Sequence, residues 1–135
     1  MLTLALIKQA AARAAEAAAA IPCAMSIAVV DSGANLAYFE RMDDAMVGSI
    51  EAARRKARCA MLFKRPTKVF EDALAGGRMA ILSLPEVLPI EGGIPLIHKG
   101  KIVGAIGVSG GTAQQDGIVA TAAAEAFAAL TDKSL

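Results

Sequence analysis

Tryptophan is absent from this 135-residue chain, and the other aromatics are few: one tyrosine and four phenylalanines, 4% in all. So few flat side chains leave no platform for stacking bases. Charge of either sign is also sparse. Fourteen basic and thirteen acidic residues leave a net charge of +1, which excludes a globally nucleic-acid-like surface and argues against intrinsic disorder. There is one histidine, His98, and there are two cysteines, Cys23 and Cys59, with no CxxC pair and no HExxH. The common zinc frameworks are therefore missing. Two lone thiols read as small buried hydrophobes in a reducing compartment, here taken as the cytoplasm. No uncharged apolar run approaches the ~18 residues of a membrane span. The longest near the start, residues 4–7, is interrupted by Lys8, Arg13 and Glu16, so it reads as the first turn of a mature helix and not as a signal peptide. Neither nucleic acid nor a membrane is an expected partner.

What the chain has instead is alanine, 31 residues of it, within a 56% hydrophobic composition and a mean hydropathy of +0.51. The length fits one domain, residues 1–135. Alanine packs elements closely but buries little area per residue, so such a domain gains burial by self-association, as a dimer or higher homo-oligomer.

The pattern along the chain predicts a helix over 3–19, ending before Pro22, with Leu4, Ile7, Ala11, Ala14, Ala15 and Ala18 on one face. Residues 25–30 and 36–41 read as strands joined by the turn chemistry of Asp31-Ser-Gly-Ala-Asn35. Helices follow over 46–63 and 67–75, stopped by Pro66 and by Gly76-Gly77. Residues 78–93 are irregular, with room for a short strand at 86–88. Strands over 94–98 and 101–109 meet at Lys99-Gly100, and a last helix covers 112–130, opened by the capping box Thr112-x-x-Gln115. Two hairpins bracketed by helices imply an α+β layered domain.

The segment from Gly104 to Thr112 is the most marked candidate for chemistry. Gly107, Gly110 and Gly111 would let a backbone or a ligand approach a strand end. The helix start beyond them offers free N–H groups to a carboxylate or phosphate. The spacing matches neither a Walker A loop nor GxGxxG, and a tight packing turn is the plain alternative. Gly92-Gly93, between Glu91 and Pro95, could frame a second rim. Seven of the fourteen basic residues fall between Arg54 and Lys68 with no acid among them. They read as a solvated helix face or an anion-binding wall, and the acids on both flanks favour pairing over nucleic acid.

Leu2-Thr-Leu-Ala5, Ser26-Ile-Ala-Val-Val-Asp31, Gly33-Ala-Asn-Leu36 and Phe39-Glu-Arg-Met-Asp43 resemble the opening of GlcG/HbpS-type proteins. Lys56-Ala57 with Ala60 and Phe63, then Gly92-Gly-Ile-Pro-Leu96, and then the segment 103–111 with Asp116 resemble the rest of that pattern. The chain also resembles the C-terminal domain of PduO-type proteins. Asp44 stands where the family commonly carries glycine, and the first helix carries no histidine. The resemblance implies a profilin-like or roadblock-like fold, α-β-α layers around a five-stranded antiparallel sheet. It also implies homo-oligomers and a tetrapyrrole ligand, haem or corrinoid.

The expected protein is a small-ligand-binding accessory or sensor protein for a tetrapyrrole or small organic anion. Gly92, Gly93 and Pro95 would frame the site at one strand start, with Ser109, Gly110 and Gly111 at a strand end. Asp116 would stand in the last helix, and Arg41 or Lys56 would supply charge. No catalytic residue or metal ligand is assigned. The alternatives are an enzyme acting on a small organic acid, with Asp116 or Glu91 as acid/base, and a non-catalytic interaction module.

Overall fold

The computed structural model describes residues 1–132. Helix α1 (Leu4–Ala20) starts where Thr3 accepts a bond from the Leu6 amide, 3.2 Å, an N-cap that satisfies one of the free donors of the first turn. Strands β1 (Ser26–Asp31) and β2 (Leu36–Arg41) form a hairpin. The Asp31 carboxylate ties its turn by accepting from the amides of Gly33 and Asn35, both at 2.9 Å. Ala34, not one of its Gly, Asp or Asn neighbours, takes the left-handed conformation there, φ +62°.

Helix α2 (Gly48–Phe63) and helix α3 (Lys68–Ala75) follow, with a 3₁₀ turn at Met79–Ser83. Strands β3 (Gly93–His98) and β4 (Lys101–Ser109) meet in a two-residue turn in which Lys99 and Gly100 both have positive φ, the mirror-image turn whose twist matches a hairpin. Helix α4 (Ala113–Asp132) closes the fold. Its start is the capping box: Thr112 and Gln115 exchange bonds of 3.0 and 3.1 Å.

The sheet is antiparallel in the order β2-β1-β4-β3. The expectation of five strands is not met among the described residues. The candidate fifth strand at 86–88 fails because Glu86 sits at φ +68° between Pro85 and Pro89, and no extended ladder survives a left-handed residue there. Val87 instead packs with Cys59, Phe70 and Ile81 in a small cluster beside α3.

The α-β-α layering follows from the alternation of β1 and β4. Ile27, Val29, Ile106 and Val108 face α1 and α4, and with Phe127 and Leu96 they form the main core. Ala28, Val30 and Ala105 face α2, meeting Ala53, Ala57 and Ala60. That second face is thin by composition. A Cβ on Gly107 would collide with the Ala53 carbonyl and lie 2.5 Å from the Ala57 amide nitrogen, and one on Gly93 would collide with the Lys56 carbonyl. Helix α2 therefore lies against bare sheet backbone, and this closeness brings Lys56 through to the far end of β4. Asp44, at the position where glycine was expected, also has positive φ, +68°.

A buried ion pair and two surface cavities

The register of the sheet gathers one set of candidate residues at one end. Ser26 pairs across to both Arg41 and Ser109, and Gly93 pairs with Gly107. The Gly92 carbonyl accepts from the Val108 amide at 2.9 Å, so Gly92-Gly93 and the Ser109-Gly110-Gly111 turn lie side by side.

Lys56 fills the space between them. Its Nζ donates to Asp116 Oδ2 at 2.9 Å and to the Val108 carbonyl at 3.0 Å. The lysine and aspartate side chains are only 2% and 3% exposed. The other Asp116 oxygen accepts from the Gly111 amide at 2.9 Å. Burial pushes the Asp116 carboxyl above its ordinary value, while the Lys56 hydrogen bond and charge and the Gly111 amide act against the shift. Gly92 and Gly93 make room for Lys56, and Gly110 for the backbone at Ala24. A Cβ on Gly92 would stand 2.9 Å from the Lys56 ammonium, and one on Gly110, at φ +145°, would stand 2.5 Å from the Ala24 carbonyl. Gly93 donates to Thr67 Oγ1 at 2.9 Å.

The glycine turns and Asp116 do meet, as their chemistry suggested, but around an internal cation. Lys56 carries its charge inward and saturates the Asp116 carboxylate, so neither is presented to a solvent-borne ligand. Arg41 ends β2 exposed to solvent. Pro95 is buried in the edge strand β3, where a missing N–H costs least. Glu91 lies over Gly117, whose bare backbone accommodates the carboxylate.

Two openings lie elsewhere. One is a shallow apolar groove between α4 and β3, built from Ile94, Pro95, Ile97, Thr121, Ala124, Glu125 and Ala128, about 240 Å³. It adjoins a hollow of about 380 Å³ that shares Thr121 and Glu125 and adds Glu91, Gly117, Ile118 and Ala122. The other is a cavity of about 290 Å³ walled by Arg54, Arg55 and Arg58. Of the groove, only Pro95 belonged to the expected site. The α4 wall was hidden because alanines at 122, 123, 124, 126, 128 and 129 look alike on every helical face. The arginine wall had a signal, the i,i+4 spacing of Arg54 and Arg58. Among the described residues no group of three or more His, Cys, Asp or Glu is placed to hold a metal ion, and no helix is long and apolar enough to cross a membrane.

Comparison with known proteins agrees with this fold. Protein GlcG of Escherichia coli K12 is 41% identical over 85 residues, which is 63% of this chain and 63% of GlcG. The crystal structure of Klebsiella pneumoniae protein ORFY superposes with a TM-score of 0.88 at 34% identity, covering 95% of this chain and 91% of that one. The structure described as the PduOC:heme complex superposes with a TM-score of 0.83 at 28% identity, covering 93% and 94%. Residues 2–125 match the family described as haem degrading protein HbpS-like, and the chain belongs to that HbpS-like family.

Proposed function

We propose that this protein is a tetrapyrrole-binding accessory protein that holds its ligand in the groove between α4 and β3. The observation that carries the reading is the groove itself: Ile94, Pro95, Ile97, Ala124 and Ala128 present an almost wholly apolar wall at the surface. Together with its adjoining hollow it reaches the ~300–1,000 Å³ of small-molecule sites. A flat macrocycle covers such a wall and leaves its carboxylates in water. The PduOC:heme complex among the structural relatives supports the same ligand class.

Haem fits this groove in part. The wall suits the porphyrin face, but its residues include no imidazole, thiolate or thioether, only the oxygens of Thr121, Glu125 and Glu91. His98 lies beyond Ile97 at the end of β3. The usual imidazole ligation is therefore not built into the groove, and we derive no iron chemistry from it. Binding by ring burial alone suits haem, a corrinoid or a metal-free porphyrin, and suits a carrier or sensor in the cytoplasm better than an enzyme. Of the two acid/base candidates of the enzymatic alternative, Asp116 is sealed under Lys56, and Glu91 lines the hollow beside the groove.

Self-association belongs to the same reading. Leu4, Leu36, Met46, Val47, Leu62 and Met79 are among the large apolar side chains left exposed, available for burial against a second copy. Light scattering at micromolar protein should give a multiple of 13.8 kDa, and a monomer mass would remove this part.

The test is a titration of the purified protein with hemin, cobinamide and protoporphyrin IX, followed by visible absorbance. Hemin and protoporphyrin should bind within about threefold of each other, because the ring is what is held. Ile97→Glu, at an exposed groove position, should weaken both more than tenfold, while Leu62→Glu on α2 should not. Strong binding of hemin with none of protoporphyrin, or Ile97→Glu binding like the parent, would overturn the groove as the site.

A further inference from the structure

We propose that the cavity between α2 and the β1–β2 turn binds a compact multivalent anion, a short-chain carboxylate or phosphate carrying at least two negative charges. The geometry comes from the helix. Residues 51, 54, 55 and 58 fall at i, i+3, i+4 and i+7, one face of α2, and that face looks onto the turn of the hairpin. Arg54, Arg55 and Arg58 form the wall of a cavity of about 290 Å³ together with Glu51, which is turned toward Arg54, and Val30, Ala34 and Leu36 form its floor.

The three guanidinium groups are unequally engaged. Arg58 is oriented, with Nε donating to Glu86 at 2.9 Å and Nη1 to the Ala34 carbonyl at 3.2 Å. Arg54 has only a long contact with Glu51, 3.6 Å. Arg55 makes no hydrogen bond or ion pair with the described residues. Each guanidinium carries five donors, so most of those facing the cavity are unclaimed. Three like charges on one helical face repel one another, and a dianion between them turns that repulsion into charge-assisted, partly bidentate contacts.

The surroundings narrow the ligand class. Glu51 and Glu86 flank the arginines and would repel an extended polyanion such as nucleic acid. The floor is apolar, which favours an anion with a short carbon body over bare phosphate. The site is independent of the tetrapyrrole reading, since the cavity lies on the α2 face of the sheet and the groove is formed by α4.

Calorimetric titration at low ionic strength with succinate, citrate and inorganic phosphate tests the proposal, with chloride of matched ionic strength as blank. The carboxylates should bind saturably and raise Tm. Arg55→Gln and Arg54→Gln should each weaken binding at least tenfold. Neither side chain holds the fold, and circular dichroism should confirm it unchanged. Lys101→Gln removes the same charge from an exposed position on β4 and should leave binding within twofold. Phosphate binding as tightly as citrate would assign the oxyanion as the recognised group, and weaker phosphate would assign the carbon body as well. Three outcomes would overturn the site: no binding of any probe, parent-like binding by Arg55→Gln, or equal weakening by Lys101→Gln, which would mean net charge alone. Ile97→Glu should bind these anions like the parent.

Discussion

Replacing Lys56 with methionine keeps the length of the side chain and removes its charge. In the native protein Lys56 Nζ lies 2.9 Å from Asp116 Oδ2 and 3.0 Å from the Val108 carbonyl, with both side chains almost fully enclosed. Methionine strands a buried carboxylate that keeps only backbone donors, the amides of Gly111 and Gly110. Breaking a buried pair from one side costs about 3–5 kcal/mol, because the surviving charge is desolvated without a partner. For a domain of this size that lowers Tm by about 10–20 °C.

The double variant Lys56→Met/Asp116→Leu removes both charges. It should lie within about 2 kcal/mol of the parent, the remainder being the unsatisfied Gly111 amide and Val108 carbonyl. Urea titration with a common slope measures all three. A pH series adds an independent check. The Asp116 carboxyl in the folded protein already titrates above its ordinary 3.8 because of burial. The folded state therefore takes up the proton before the unfolded chain does. Its contribution to stability is greatest below 3.8 and is lost as pH rises through the folded value. Removing Lys56, which holds that shift in check, widens the window, so the deficit of Lys56→Met should shrink on acidification. A single variant costing under about 1 kcal/mol, or a double variant no better than the single, would refute the account of Lys56 as an internal counter-ion.

Gly110→Val should destabilise the fold by about 2 kcal/mol or more in the same assay, since φ is +145° and the new Cβ meets the Ala24 carbonyl at 2.5 Å; parent-like stability would show that the turn can relax. A thiol reagent should label Cys23, which is partly exposed, in the folded protein, and Cys59, buried and with its pKa raised by that burial, only on unfolding; mass spectrometry of the labelled peptides decides. Asp44→Gly should stabilise by up to about 1 kcal/mol by relieving a left-handed φ of +68°, and a lowered urea midpoint would contradict it. The His98 ring should titrate below 6.5 by NMR, because desolvation leads and the N-terminal ammonium and Lys99 add repulsion. Its contribution to stability is then full above pH 6.5 and declines as pH falls through the folded value, and a titration at or above 6.5 would remove it.

The order of elements was legible in the chain because its signals are local. Thr3 caps α1, Thr112 and Gln115 box the start of α4, and Lys99-Gly100 turns a hairpin. Each uses bonds or dihedrals within a few residues, so composition and spacing sufficed. The nearness of the two glycine turns was legible for a similar reason, since removing side chains at a strand start and at a strand end is useful only where something comes close. What came close was decided by tertiary structure. Lys56 and Asp116 are 60 positions apart, and no periodicity tells a lysine that enters the core from the arginines beside it that stay outside. That choice depends on how near α2 lies to the sheet, which bare backbone at Gly93 and Gly107 sets. The missing fifth strand, the alanine wall of the groove and the arginine cavity have the same origin. Each depends on which of several locally equivalent residues meets a distant partner, and burial and Coulomb energy select among them only once the layers are assembled.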